Sequence, residues 1–283
     1  MEKAIKKFWP VFVLPTLAAF IIGFIWPFVW GIGLSFCKFT TVNNVQFVGL
    51  SNYLNIWIDN TFTHAFVFTT LFTIVSTVLI NVFAFLLALL LTRHVRCTNI
   101  FRTVYFMPNL IGGVVLGYIW NTLLNGLLTL LSKPLLQLNA TYGFWGLVIL
   151  MCWQQIGYMM IIYIAGLQNV PPDLIAAARI DGATARQGLL RVKIPLVMPS
   201  ITICTFLTLT NSFKLFDQNL SLTGGEPAKL TQGLAYNIYD TFYARSGAQW
   251  KGIGQAKAVV FFLAVVVIAL VQLRLTRSKE VQQ

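Results

Sequence analysis

The sequence predicts an all-α integral membrane protein with six transmembrane helices. Composition is the first observation: the 283 residues are 57% hydrophobic and only 10% charged, where a soluble domain carries roughly 25% charged residues. The second is segmentation. Apolar runs fall at about 9–36, 63–91, 104–124, 143–167, 195–216 and 257–274, each near or above the ~20 residues that cross a bilayer as a helix. The third is where the basic residues stand. Lys3, Lys6 and Lys7 precede the first run, and Arg93, Arg96 and Arg102 separate the second from the third. Arg179, Arg186, Arg191 and Lys193 lie between the fourth and fifth, and Arg274, Arg277 and Lys279 follow the sixth. The opposite side holds only Lys38, Lys133, Lys229, Arg245 and Lys251, on longer loops. Cytoplasmic loops are the ones rich in Lys and Arg, so both termini are expected inside. The expected layout is a cytoplasmic N-terminus (1–8), a six-helix domain (9–275) with a cytoplasmic loop at 168–194, and a cytoplasmic tail (276–283).

These patterns also exclude function classes. A net charge of +12 would suit nucleic acid if it were gathered on one face, but here it is spread over the ends of apolar runs, as membrane topology requires. Cys37, Cys97, Cys152 and Cys204 have no metal or redox spacing. His64 and His94 fall at opposite membrane boundaries, too far apart to share a metal. No G-x-x-x-x-G-K-[ST] loop occurs, and Gly252 and Gly254 lack the spacing and context of a phosphate cradle. With no acid–base or nucleophile–base pair visible, no catalytic residue, metal site or cofactor of its own is expected. The first apolar run is too long for a cleaved signal peptide and reads as a signal anchor.

Within the chain, the loop at 39–61 places Leu50, Tyr53, Leu54 and Trp57 on one face of a short helix, suited to the membrane interface where Trp and Tyr concentrate. In the second run Thr70, Thr73, Thr77 and Asn81 make a polar stripe, which in lipid seeks another helix or a watery path. Pro108 in the third run frees a backbone carbonyl, tolerated where protein or a cavity satisfies it. The fourth run carries Trp153, Gln154, Gln155 and Tyr158. The fifth ends with Asn211, Ser212, Phe213, Lys214 and Asp217, and Lys214 and Asp217 at i and i+3 can pair on a helix. Trp153, Gln154, Tyr158, Asn211, Ser212, Phe213, Lys214 and Asp217 are the candidate cavity residues, aromatic faces and amides being what a sugar ring and its hydroxyls require. Leu230, Leu234, Ile238 and Phe242 recur every four residues as an amphipathic helix at the outer interface.

Residues 171–199 read PPDLIAAARIDGATARQGLLRVKIPLVMP. Pro171 and Pro172 suit a helix start, the Ala-rich stretch propagates it, and Gly182 ends it by accepting φ > 0. Asp181 is placed to cap a second helix at about 183–191. Ala177, Ala178, Asp181, Gly182, Ala183, Leu189, Val192, Ile194 and Pro195 fall in the register of the EAA loop of ABC-importer membrane subunits, with Ala176 where that pattern has Glu. The "FVGLSNY" at 47–53, the "FRTVYFMP" at 101–108, the "LTGGEP" at 222–227 and the small-residue run at 252–258 resemble the same family. The resemblance spans Phe47 to Arg277, and it is to the first permease of carbohydrate-uptake importers of the maltose and glycerol-3-phosphate type.

That resemblance implies the type I ABC importer permease fold, N-in/C-in, in a bacterial cytoplasmic membrane. It implies a heterodimer with a second, homologous permease, two cytoplasmic ABC ATPase subunits that use ATP and Mg, and an extracytoplasmic sugar-binding protein. Ala176, Ala177, Ala178, Arg179, Asp181, Gly182, Ala183, Arg186 and Pro195 would then couple to the ATPase. Lacking the Glu at position 176 removes one charge-assisted contact, worth about 1.5–3 kcal/mol where made. The alternative is a self-sufficient secondary transporter or channel, for which Asp217 is the candidate coupling carboxylate.

Overall fold

The computed structural model describes residues 2–41, 43–92 and 97–277, with side chains from Trp9 to Thr276 within those ranges. Lys3, Lys6, Lys7, Arg93, His94, Arg96, Arg277 and Lys279, all expected at the cytoplasmic boundary, lie outside the described side chains.

Helix α1 (Glu2–Phe20) widens into a π-helical turn at Ile21–Ile25 and continues as α2 (Trp26–Ser35). The widening immediately precedes Pro27, which has no N–H to give the ladder and crowds the carbonyl four residues back. A two-stranded antiparallel hairpin follows, β1 (Cys37–Phe39) against β2 (Val45–Phe47), with Cys37 opposite Phe47. This small hairpin has no counterpart in the all-α expectation. Next come α3 (Ser51–Ile58), α4 (Asn60–Leu91), α5 (Thr98–Phe106), a 3-10 turn at Met107–Leu110 and α6 (Gly113–Leu130). Helix α7 (Ala140–Gln168) is capped by Asn139, whose side chain accepts from the Thr141 and Tyr142 amides. The chain goes on through α8 (Pro172–Ile180), α9 (Ala185–Gln187), a π turn at Gly188–Lys193, α10 (Ile194–Leu196), α11 (Met198–Phe213) and α12 (Asp217–Leu222). It ends with α13 (Leu234–Tyr239), a π turn at Asp240–Ala244, and α14 (Ala248–Arg277).

Among the described residues five helical stretches are long and apolar enough to span a bilayer: Trp9–Ser35, Asn60–Leu91, Gly113–Leu130, Ala140–Gln168 and Ala248–Thr276. A sixth crossing is formed if Ala185–Leu196 and Met198–Phe213, bent by 70°, count as one broken span. Expected boundaries differ in three runs. The third breaks around Pro108, so its spanning helix begins at Gly113 instead of residue 104. The fifth bends at Val197, where Pro195 and Pro199 interrupt the amide ladder on either side, and its helix stops at Phe213. The helix of the sixth begins at Ala248 instead of residue 257.

The chain divides into two compact units, residues 1–60 with 238–262 and residues 61–237 with 263–283. In the first, Asn52 donates to the Ser35 and Cys37 carbonyls at 2.8 and 2.9 Å, holding α3 against the end of α2. Ile56 is buried while Leu50, Leu54 and Trp57 face outward, the amphipathic face expected of this segment. The same unit buries Lys257 completely, with its Nζ 2.9 Å from Asp59 Oδ2 and 2.8 Å from Thr241 Oγ1. Arg245 reaches the same Asp59 oxygen at 3.1 Å and lies over the Trp250 ring.

The second unit has its core between α4 and α7, where Phe68, Phe72, Ile80, Leu147, Met159 and Tyr163 interlock. Asn81 donates to Thr208 Oγ1 at 2.8 Å and accepts from the Tyr163 hydroxyl at 2.6 Å. Ser76 donates to Ser212 Oγ at 3.0 Å. Of the polar stripe of α4, Asn81 thus serves helix packing and Thr70 turns back to the Phe66 carbonyl, while the Thr73 and Thr77 hydroxyls are buried with no partner among the described residues. Gly157 lets α5 press onto α7, since a Cβ there would run into the Tyr105 carbonyl. The Leu230 repeat is only partly helical: α13 begins at Leu234, and Leu230 sits exposed in the preceding turn.

Candidate functional site

Two features of the second unit collect the candidate residues, a surface loop and a polar pocket.

The loop starts with Pro172 as the first residue of α8. Its helical spacing separates two faces. Ala176, Ala177, Ile180 and Asp181 are exposed, whereas Ile175, Ala178 and Ala183 are half-buried against the body of the unit. Ile180 is 86% exposed, an aliphatic side chain almost wholly out of contact. Gly182 has φ +80°, the left-handed conformation that ends α8 and that glycine adopts without a Cβ penalty. Asp181 does not cap the next helix. Thr184 does, because Gly182 turns the chain and leaves Thr184 extended ahead of Ala185. Thr184 Oγ1 accepts from the Gln187 amide at 3.3 Å, and Gln187 Oε1 accepts from the Thr184 amide at 2.8 Å, a complete capping box. The second helix is correspondingly shorter than 183–191, with α9 passing at Gly188 into π geometry. Arg179 and Arg186 are exposed on this surface, and Pro195 sits half-buried at its return.

The pocket, about 320 Å³, lies where α11 stops and α12 starts. Its walls are Met151 and Gln155 from one face of α7, Asn211 and Lys214 from the end of α11, and Leu215, Phe216, Asp217 and Gln218. Gln155 is only 8% exposed, and among the described residues its Oε1 has no hydrogen-bond partner. A buried amide oxygen without a donor is costly unless something brings one. Gln218 donates to Gln154 Oε1 at 2.7 Å, and Gln154 donates to the Ile111 carbonyl at 3.3 Å. Gln154 thus steadies the pocket's rim without lining it.

The candidate cavity residues are sorted by this geometry. Asn211, Lys214 and Asp217 come together in the pocket. Lys214 and Asp217 do not pair: α11 ends before Lys214, which destroys the i, i+3 relation, and among the described residues no ion pair joins them. Ser212 and Phe213 point the other way, to Ser76 and to the edge of Phe66. Trp153 is 43% exposed and meets Trp120 edge-on at 5.4 Å, and Tyr158 leans on Phe106. None of these four lines the pocket. Gln155 and Gln218 are the residues that sequence reasoning left out. The signal for Gln155 was present, since a second glutamine inside a span needs a reason as much as the first.

A broken span, a surface loop of exposed small and apolar residues and a polar pocket at the end of α11 remote from the bend fit a multi-pass membrane permease. Residues 86–280 match the family of binding-protein-dependent transport system inner membrane components, and the chain belongs to that family. It is 43% identical, over 96% of its own length and 94% of the relative's, to the probable starch degradation products transport system permease protein AmyD of Thermoanaerobacterium thermosulfurigenes. It is 28% identical, over 99% of both chains, to the multiple sugar-binding transport system permease protein MsmF of Streptococcus mutans. Its fold matches a chain of the bacterial alginate ABC transporter crystallised with an alginate pentasaccharide-bound periplasmic protein, with a TM-score of 0.81 at 21% identity over 98% of this chain and 97% of that one. The protein is therefore the membrane permease component of an ABC importer and not its ATPase, with the type I importer fold.

Proposed function

We propose that this permease conducts an oligosaccharide, of the kind released from starch, across a bacterial cytoplasmic membrane. The observation that carries the reading is the unpartnered, buried Gln155 Oε1 in a pocket also lined by Asn211, Lys214, Asp217 and Gln218. A sugar presents many hydroxyls, each able to donate to such an acceptor and to accept from a neighbouring amide or ammonium. Transporter sites lie beside discontinuous helices, where helix ends face the cargo, and this pocket adjoins the gap between α11 and α12. A second, homologous permease supplies the other wall, and both termini face the cytoplasm. Two ATPase subunits grip the exposed face of α8, where Ala176, Ala177 and Asp181 stand outward and Gly182 makes the turn. Arg186 supplies charge there, where position 176 lacks the Glu. An extracytoplasmic sugar-binding protein delivers the cargo on the opposite side.

The test is uptake into proteoliposomes holding both permeases and the ATPases, with the binding protein and labelled maltooligosaccharides outside the cytoplasmic face. Uptake that requires both ATP and binding protein is the expected result. Uptake driven by an ion gradient without ATP would move the assignment to a secondary transporter coupled through Asp217.

A further inference from the structure

A second cavity lies on the inner side of α8, away from its exposed face. It is a cleft of about 590 Å³ walled by the last residues of α4 and α7, the half-buried side of α8, and the segment from Ala183 to Lys193. Its lining is divided by chemistry. Leu89, Leu167, Ile175 and Leu189 make an apolar wall, and two of these belong to the final turns of membrane-spanning helices. Arg179 and Lys193 bring two positive charges, with Thr184 and Gln168 beside them. Among the described residues no Asp or Glu lines the cleft. Among the described residues neither Arg179 nor Lys193 has a side-chain ion pair or hydrogen bond.

We propose that this cleft binds an anionic phospholipid of the cytoplasmic leaflet. The Arg179 guanidinium and Lys193 ammonium hold the phosphate, and an acyl chain runs along the Leu89–Leu167 wall into the bilayer. Three features favour a lipid. The apolar wall is continuous with two spans, the charges sit where those spans leave the membrane, and basic pockets at that level are where anionic headgroups gather. A small soluble phosphate would leave the leucine wall bare. The α8 spacing keeps the lipid clear of the proposed ATPase face, since Ile175, Ala178 and Arg179 line the cleft while Ala176, Ala177 and Ile180 face away. A lipid seated there would brace the coupling loop against the ends of α4 and α7. The inference rests on the cytoplasmic placement of the loop.

The experiment uses the whole importer in nanodiscs of phosphatidylcholine with a small fraction of phosphatidylglycerol. Phosphatidylglycerol retained per complex is measured by mass spectrometry after detergent exchange. Lys193→Gln should lower retention about fivefold, and Lys193→Arg should restore it. A photo-cross-linking side chain at Ile175 should capture lipid. Equal retention by wild type and Lys193→Gln would overturn the proposal, as would displacement of the lipid by millimolar glycerophosphate, which would indicate a soluble phosphate. Capture of the partner permease at Ile175 would likewise show the cleft to be a subunit interface. The assay needs neither sugar nor ATP, so a failed uptake experiment and a failed lipid experiment remain distinct.

Discussion

The coupling loop and the polar pocket invert each other's burial. In the loop, aliphatic and small side chains stand outside, with Ile180 almost fully exposed and Ala176 and Ala177 beside it. In the pocket, by contrast, the Gln155 amide is buried, its oxygen unanswered among the described residues, with Asn211 and Gln218 half-buried beside it. Burying apolar area is favourable at about 25 cal/mol per Å², and leaving a polar group unpaired inside costs about 1–3 kcal/mol. Each region therefore gives up stability in the isolated chain, in opposite currencies. Under the proposed function, the exposed apolar surface is a place for a protein partner and the buried unpaired acceptor a place for a ligand bearing hydroxyls, so the two regions differ in the kind of partner proposed for them.

The strongest way to break the comparison is at the turn. Gly182→Asp places a Cβ and a charge where φ is +80°, and sugar-stimulated ATP hydrolysis should fall to background while the permease still inserts. Preserved stimulation would remove the loop from the coupling path. The pocket should respond differently. Gln155→Leu deletes the unpaired acceptor, and uptake should fall about tenfold, with ATP hydrolysis in the absence of sugar unchanged. If hydrolysis fell and uptake did not, the two regions would have exchanged roles. A smaller effect is expected of Thr184→Ala, which removes the capping hydroxyl and should cost about 1 kcal/mol of local helix stability, visible as faster amide exchange across residues 184–188. Smallest of all is Trp153→Ala. Trp153 does not line the pocket, so uptake should stay within about twofold, as expected of substitutions outside a binding site. A large loss would restore it to the cavity.

A separate prediction concerns the first unit, where polarity is buried but fully answered. Asp59→Ala removes the carboxylate shared by Lys257 and Arg245, and breaking such a buried pair typically costs about 3–5 kcal/mol. Thermal unfolding in detergent should move down accordingly. Simultaneous Lys257→Met should recover part of the loss, because an apolar side chain in that buried position needs no counter-charge.

The fold and the loop were legible in the chain because their signals are local. Spans are set by how many consecutive apolar residues cover a bilayer, and the end of α8 by a glycine that alone tolerates the required φ. The polar pocket was legible only in part. Asn211, Lys214 and Asp217 were recognised, but their neighbours in sequence, Ser212 and Phe213, point into helix packing. Which residues at the end of α11 meet the pocket depends on where the helix stops and on how it packs, with Ser212 and Phe213 held against α4 while Asn211 and Lys214 line the pocket.

By itself, then, the sequence determined the apolar runs, the asymmetry of basic residues and the register of the EAA-like loop. Each arises from residues adjacent in the chain responding to lipid or to their own backbone. Only the tertiary structure decided that Gln155 and Gln218 share a pocket with Asn211, that Lys214 and Asp217 stay apart, and that Arg179 and Lys193 meet across one cleft. Those are juxtapositions of distant segments, and packing between helices sets them.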